Sequence, residues 1–123
     1  MLPRPCRLTQ SEDYARVRRE GRSRAHPLLI LAAAPNGGDA VRVGLTVGKK
    51  AGSAVARNRA KRLLREAIRP RLLSLVPGHD IVLIARPDTA GARLDALGAA
   101  LDGLLRRGGL LRGPAPKTPG RVH

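Results

Sequence analysis

Residues 49–69 hold Arg57, Asn58, Arg59, Lys61, Arg62, Arg65 and Arg69 against a single acid, Glu66. Arginine and lysine at this density suit phosphate oxygens, and the planar guanidinium can also pair bidentately with a base edge. Asn58 sits between two arginines, and its amide can donate and accept at once. It suits a base edge or a ribose hydroxyl, with a capping or merely exposed asparagine as the alternative. The bland reading of such a run is a solvated cationic face. Its length, single sign and preceding Lys49-Lys50 favour contact with a polyanion.

Catalytic constellations are hard to assemble elsewhere. His26, His79 and His123 are scattered, and none stands at metal-ligand spacing from Cys6 or another histidine. Glu12 and Asp13 are better explained as helix-dipole partners than as a general acid and base. The run from Gly44 through Gly48 to Lys49 and Lys50 is one residue short of a phosphate loop. Lys50 also stands where the magnesium-binding Ser or Thr is required. Tyr14, the sole aromatic residue, is the one ring that could stack on a base, and it could equally be packed on a sheet.

These residues need a scaffold. In residues 49–69 a Gly turn leads to Ser53, a candidate N-cap. Ala56, Ala60, Leu63, Leu64 and Ala67 then recur at helical spacing, so the helix has an apolar side and a cationic side. Pro70 ends its regular part. Upstream, residues 9–20 read as a helix with Ser11 as candidate N-cap, Tyr14 and Val17 on a thin apolar face, and Gly21 at its end. Residues 28–33 read as a buried strand. Asn36-Gly37 is a hairpin signal, which makes residues 41–47 the partner strand, with Val41, Val43, Leu45 and Val47 alternating inward. Residues 80–86 (DIVLIAR) suit a strand buried on both faces, bounded by Pro87-Asp88. Residues 92–107 read as a third helix with Leu94, Leu97, Leu101, Leu104 and Leu105 in a stripe. A strand, a helix and a second strand in succession imply a parallel pair joined by a crossover.

Composition bounds the rest. Lys+Arg number 24 against Asp+Glu 9, a formal charge of +15, which a polyanion would offset. Nucleic acid is the first candidate and an anionic membrane surface the second, although the Ala-rich apolar stripe lacks the large anchors of interfacial helices. Cys6 stands alone, so no internal disulfide forms and a reducing compartment is expected. With no apolar run of spanning length and no signal-peptide core, the expectation is a cytoplasmic protein. One domain is expected over residues 1–112, with a basic N-terminal arm. Residues 113–123 are expected to be a disordered Pro/Gly tail.

The run VGLTVGKKAGSAVARNRAKRL, residues 43–63, resembles the signature of the protein subunit of bacterial ribonuclease P. Leu8, Glu12, Asp13, Tyr14, Val17 and Gly21 resemble that family's first helix, and residues 80–86 its last strand. The resemblance implies an α+β fold. It would be an α-β sandwich with one mixed sheet of about four strands, in the order α-β-β-β-α-β-α with a left-handed βαβ crossover. The general rule would favour the right-handed form. It also implies an accessory subunit whose RNA partner carries the catalytic groups and removes the 5′ leader of precursor tRNA, with Mg²⁺ bound mainly by RNA and no cofactor intrinsic to this chain. By position, Arg57, Asn58, Arg59, Lys61, Arg62 and Arg65 would contact the ribonuclease P RNA. Tyr14, Arg18, Lys49, Lys50 and Arg86 would line a cleft for the single-stranded leader. The sequence departs from the family where a second aromatic is common, now Arg18, and in the first strand, where aliphatics replace aromatics. Leader binding would then lean on charge more than on stacking. No membrane or protein partner is expected. The alternative reading is a structural RNA-binding module such as a ribosome-associated protein.

Overall fold

The structure is a computed structural model that describes residues 11–111. The N-terminal arm, Cys6, the expected helix start at residue 9 and the Pro/Gly tail lie outside these residues. The element order is α1 (Ser11–Glu20), β1 (Arg22–His26), β2 (Leu29–Pro35), β3 (Val41–Thr46), α2 (Ala54–Ile68), β4 (His79–Ala85) and α3 (Leu94–Arg107). It matches the order expected from the family resemblance. One mixed sheet of four strands carries the helices, in the order β1-β2-β4-β3.

That order corrects the expected pairing. β2 and β3 are not hairpin partners, because β4 lies between them, antiparallel to β2 and parallel to β3. β4 is apolar on both faces and takes a central position, where helices can cover both sides. The Asn36-Gly37 turn bridges over the end of β4 instead. Asn36 N–H donates to Gly78 O at 2.8 Å, its side-chain Nδ2 donates to Ala40 O at 3.1 Å, and its Oδ1 accepts from Gly38 N at 2.8 Å. The true hairpin joins β1 to β2 through Pro27 and Leu28. β1 is polar and short, so no alternation marked it as a strand. The expected crossover is present as β3–α2–β4.

Side-chain alternation divides the core in two. On one face Leu29, Leu31, Val43, Ile81 and Leu83 pack with Leu64, Ala67 and Ile68 of α2 and Leu97, Leu101, Leu104 and Leu105 of α3. Each such leucine or isoleucine contributes about 1.5–3 kcal/mol through burial, so this face holds most of the apolar stabilisation. Ile68 belongs to the α2 stripe, whereas Leu94, at the start of α3, is 43% exposed. Arg71, in the 3-10 turn after α2, ties the two helices together. It donates to both Asp102 oxygens at 2.6 and 3.1 Å and to Ala67 O at 2.6 Å.

On the opposite face α1 buries one large side chain, Val17, against Ala32, Ala34 and Val82. One valine is worth only about 2 kcal/mol. The polar network under α1 does the rest. Asp80 of β4, 0% exposed, receives Arg42 Nε at 2.9 Å and Nη2 at 2.7 Å, Asn36 Nδ2 at 2.9 Å, and a short ion pair from Arg16 of α1. Arg16 also donates to Pro35 O at 3.0 Å. A buried carboxylate with one partner would be costly; two arginines and an amide satisfy it.

Candidate nucleic-acid interface

α2 presents its cations on a fixed scaffold. Gly52, at φ 119°, makes the turn into the helix in a conformation that other residues rarely adopt. Ser53 then caps it, its Oγ accepting from Ala56 N at 3.2 Å. Ala60, Leu64, Ala67 and Ile68 face the core, so Asn58, Arg59, Lys61 and Arg62 are exposed, with Arg57 and Arg65 half-buried at the flanks.

The internal acids engage arginines outside α2. Arg16 and Arg42 are engaged by Asp80, Arg42 also approaches Asp13 at 3.5 Å, and Arg71 is engaged by Asp102. Glu20 and Asp95 pair with Arg19 and Arg93. Among the described residues, the cations of α2 have no ion pair. Five cations against one exposed acid, Glu66, leave this helix strongly positive, the electrostatic footprint of a phosphate-binding face.

The second candidate surface lies on the other face of the sheet. Strand register places Ala25, Ile30, Ile84 and Thr46 in one row across β1, β2, β4 and β3. The next row, Ser23, Ala32, Val82 and Gly44, runs under α1. α1 stops short of the first row, which forms an uncovered strip with Ala25 exposed and the other three half-buried. β4 is therefore buried on both faces only over Asp80, Ile81, Val82 and Leu83. Ile84, Ala85 and Arg86 are half-buried, a correction to the expected continuous burial. None of the strip residues was singled out from sequence. Their row depends on the β4–β3 register, which no local pattern encodes.

Of the five residues expected at a cleft, Tyr14 packs beside the strip, and Lys49, Lys50 and Arg86 follow the strands that carry Thr46 and Ile84. Tyr14 borders it from α1, half-buried beside Val17, Ala32, Ala34 and Val82. Burial pushes its phenol above the ordinary tyrosine value, and a hydrogen bond with the Leu45 backbone partly opposes this. Arg18 is exposed one turn along α1. Lys49 and Lys50 are exposed in the 3-10 turn Lys49–Ala51 that follows β3, and Arg86 follows β4. The turn holding the lysines leads directly into α2, so the strip and the cationic helix meet at this corner although they lie on opposite faces of the sheet.

No group of three or more His, Cys, Asp or Glu is positioned to hold a metal ion among the described residues. No described helix is long and apolar enough to cross a membrane.

Comparisons with known proteins bear on the family and the fold. Residues 2–109 match the Ribonuclease P family. A ribonuclease P protein component from Roseiflexus castenholzii is 42% identical over 119 residues, spanning 96% of this chain and 98% of the relative. Another from Chloroflexus aurantiacus is 40% identical over 118 residues, spanning 95% of this chain and 87% of the relative. Among solved structures, the RNase P protein of Staphylococcus aureus aligns with a TM-score of 0.77 at 27% identity, covering 87% of this chain and 98% of that one. The RNase P protein of Thermotoga maritima gives 0.73 at 30%, covering 82% and 96%. The alternative of a ribosome-associated module gains no support from these matches. With its signature helix, its mixed sheet and these relatives in agreement, this chain belongs to the ribonuclease P protein family.

Proposed function

We propose that the chain serves the RNA-processing enzyme of its family by holding two RNAs on two surfaces. The exposed face of α2, with Arg57, Asn58, Arg59, Lys61, Arg62 and Arg65, binds the ribonuclease P RNA. The uncovered strip between α1 and the far end of the sheet binds the single-stranded 5′ leader of precursor tRNA, with Tyr14, Arg18, Lys49, Lys50 and Arg86 around it. The observation that carries this reading is the continuity between the two surfaces. Lys49 and Lys50 end the strip and begin the connection to α2, so a leader lying on the strip runs toward the RNA held by the helix.

The strip has the chemistry for an unpaired strand. Aliphatic and Thr side chains give the bases an apolar floor, one ring offers a stacking face, and cations flank the path for phosphates. Cleavage itself is the work of the RNA, in the cytoplasm, with Mg²⁺ bound mainly by RNA. This chain's residues bind and orient. The test is reconstitution with a bacterial ribonuclease P RNA at low Mg²⁺. Precursor tRNA should be cleaved faster than by RNA alone, and should bind the complex more tightly than mature tRNA. No gain in cleavage refutes the subunit role, and equal affinities refute the leader surface.

A further inference from the structure

Past Arg86 the strip opens into a shallow, solvent-open depression of about 360 Å³, lined by Ala25, His26, Pro27, Arg86, Pro87 and Asp88. That volume lies within the range of small-ligand sites, about 300–1,000 Å³. Ala25 belongs to the strip's own row, and Arg86 directly follows the last paired residue of β4, Ala85. The depression therefore continues the path assigned to the leader.

Two turns form its walls, and they are fixed to each other. Arg86 N donates to Thr89 Oγ1 at 2.8 Å and Thr89 N donates to Arg86 O at 3.0 Å, which closes the turn holding Pro87 and Asp88. The Thr89 hydroxyl, 0% exposed, donates in turn to Leu28 O in the β1–β2 turn. Within that second turn His26 Nδ1 accepts from Leu28 N at 3.0 Å. This nitrogen carries no proton, so a neutral His26 holds its proton on Nε2, as a donor. A proline in each turn restricts the backbone further.

Asp88 is the unexpected member. It is exposed and, among the described residues, has no ion pair, yet it sits beside Arg86 on a surface otherwise suited to phosphate. A carboxylate there weakens phosphate binding. It accepts hydrogen bonds only, so it matches ligand groups that donate them. Guanine presents two adjacent donors, N1–H and N2–H, to the two oxygens of one carboxylate, with O6 beside them to accept from a donor such as His26 Nε2–H or Arg86. Adenine and cytosine offer an amino group alone, and uracil an imino group alone.

We infer that this depression takes one unpaired base of the leader and selects guanine through Asp88. The inference rests on the leader reading above. It is tested on the holoenzyme reconstituted with a bacterial ribonuclease P RNA, using precursor tRNAs that carry each of the four bases at each leader position in turn. At one position guanine should bind about tenfold tighter than uracil, the scale of a good bidentate base contact. In Asp88→Asn and Asp88→Ala that ratio should fall close to one. Removing a negative charge raises affinity for every RNA alike, so the ratio between bases is the readout, not the absolute affinity. A leader effect without base preference at any position overturns the subsite alone, as does a guanine preference that survives both substitutions. Equal binding of precursor and mature tRNA overturns the leader reading and the subsite with it.

Discussion

The ring of Tyr14 lies over the backbone of Gly44: a Cβ built at that glycine would come within 2.5 Å of Tyr14 Cζ and 3.0 Å of Cε2. The ring can approach β3 this closely because β3 presents no side chain there. The ring is also held by the packing around Val17 and by the hydrogen bond with the Leu45 backbone. Gly44→Ala must therefore displace the ring or lift α1. It should cost about 1–3 kcal/mol in urea unfolding, as overpacking does. Affinity for precursor tRNA should fall more than affinity for mature tRNA, since the displaced ring borders the strip.

Tyr14→Ala addresses the ring without strain. Stacking on one base is worth about 1–3 kcal/mol. The substitution should narrow the affinity gap between precursor and mature tRNA by roughly tenfold in the reconstituted complex, while binding to the ribonuclease P RNA stays nearly intact. Tyr14→Phe should keep most of the gap. Loss of RNA-subunit binding in Tyr14→Ala would show that the two surfaces are not separate.

Asp80 gives the fold an acid limit. Burial alone would raise its pKa. Hydrogen bonds from Arg42 and Asn36, with the charges of Arg42 and Arg16, outweigh burial and hold the carboxyl below the usual carboxylate range. A lowered folded pKa means that the stabilisation is complete above the unfolded value, about 3.9, and is lost as pH falls from there through the depressed value. Asp80→Asn should cost roughly 3 kcal/mol at neutral pH, because two arginines lose their charge partner. The difference between the two proteins should shrink only below about pH 4. Urea unfolding across a pH series at constant salt reads both.

Local chemistry accounts for what was legible in the sequence. Ser53, the stripe through Ala60, Leu64 and Ala67, and the stop at Pro70 are all set by neighbours within a few residues, and α2 follows from them. The exposed side of that helix follows in the same way, and with it Asn58, Arg59, Lys61 and Arg62. What the sequence hid is set by distant pairing. Asn36-Gly37 carries a hairpin's residues, but Asn36 bonds to Gly78, Ala40 and Asp80 across the end of a strand that arrives some forty residues later. Ala25, Ile30, Ile84 and Thr46 become one surface only through three strand registers. Arg16, Arg42 and Arg71 counted toward the positive charge like any arginine, and only the fold shows that Asp80 and Asp102 neutralise them.

That last distinction can be measured by comparing arginines. Arg59 is exposed on α2 and has no ion pair among the described residues, whereas Arg71 is bound by Asp102 and Ala67 O between α2 and α3. A cation that contacts RNA phosphate releases counterions, so its loss lowers the salt dependence of binding by roughly one unit of slope. Arg59→Ala should do this for the ribonuclease P RNA and leave thermal stability within about 0.5 kcal/mol, as expected of a surface site. Arg71→Ala should do the reverse. The salt slope of the folded protein should hold, and stability should fall by about 2–4 kcal/mol, because Asp102 and Ala67 O lose a charged donor in a partly buried contact. If both substitutions lowered the slope equally, charge would act through the molecule's total alone. The partition between internal and RNA-facing arginines would then have no consequence for binding.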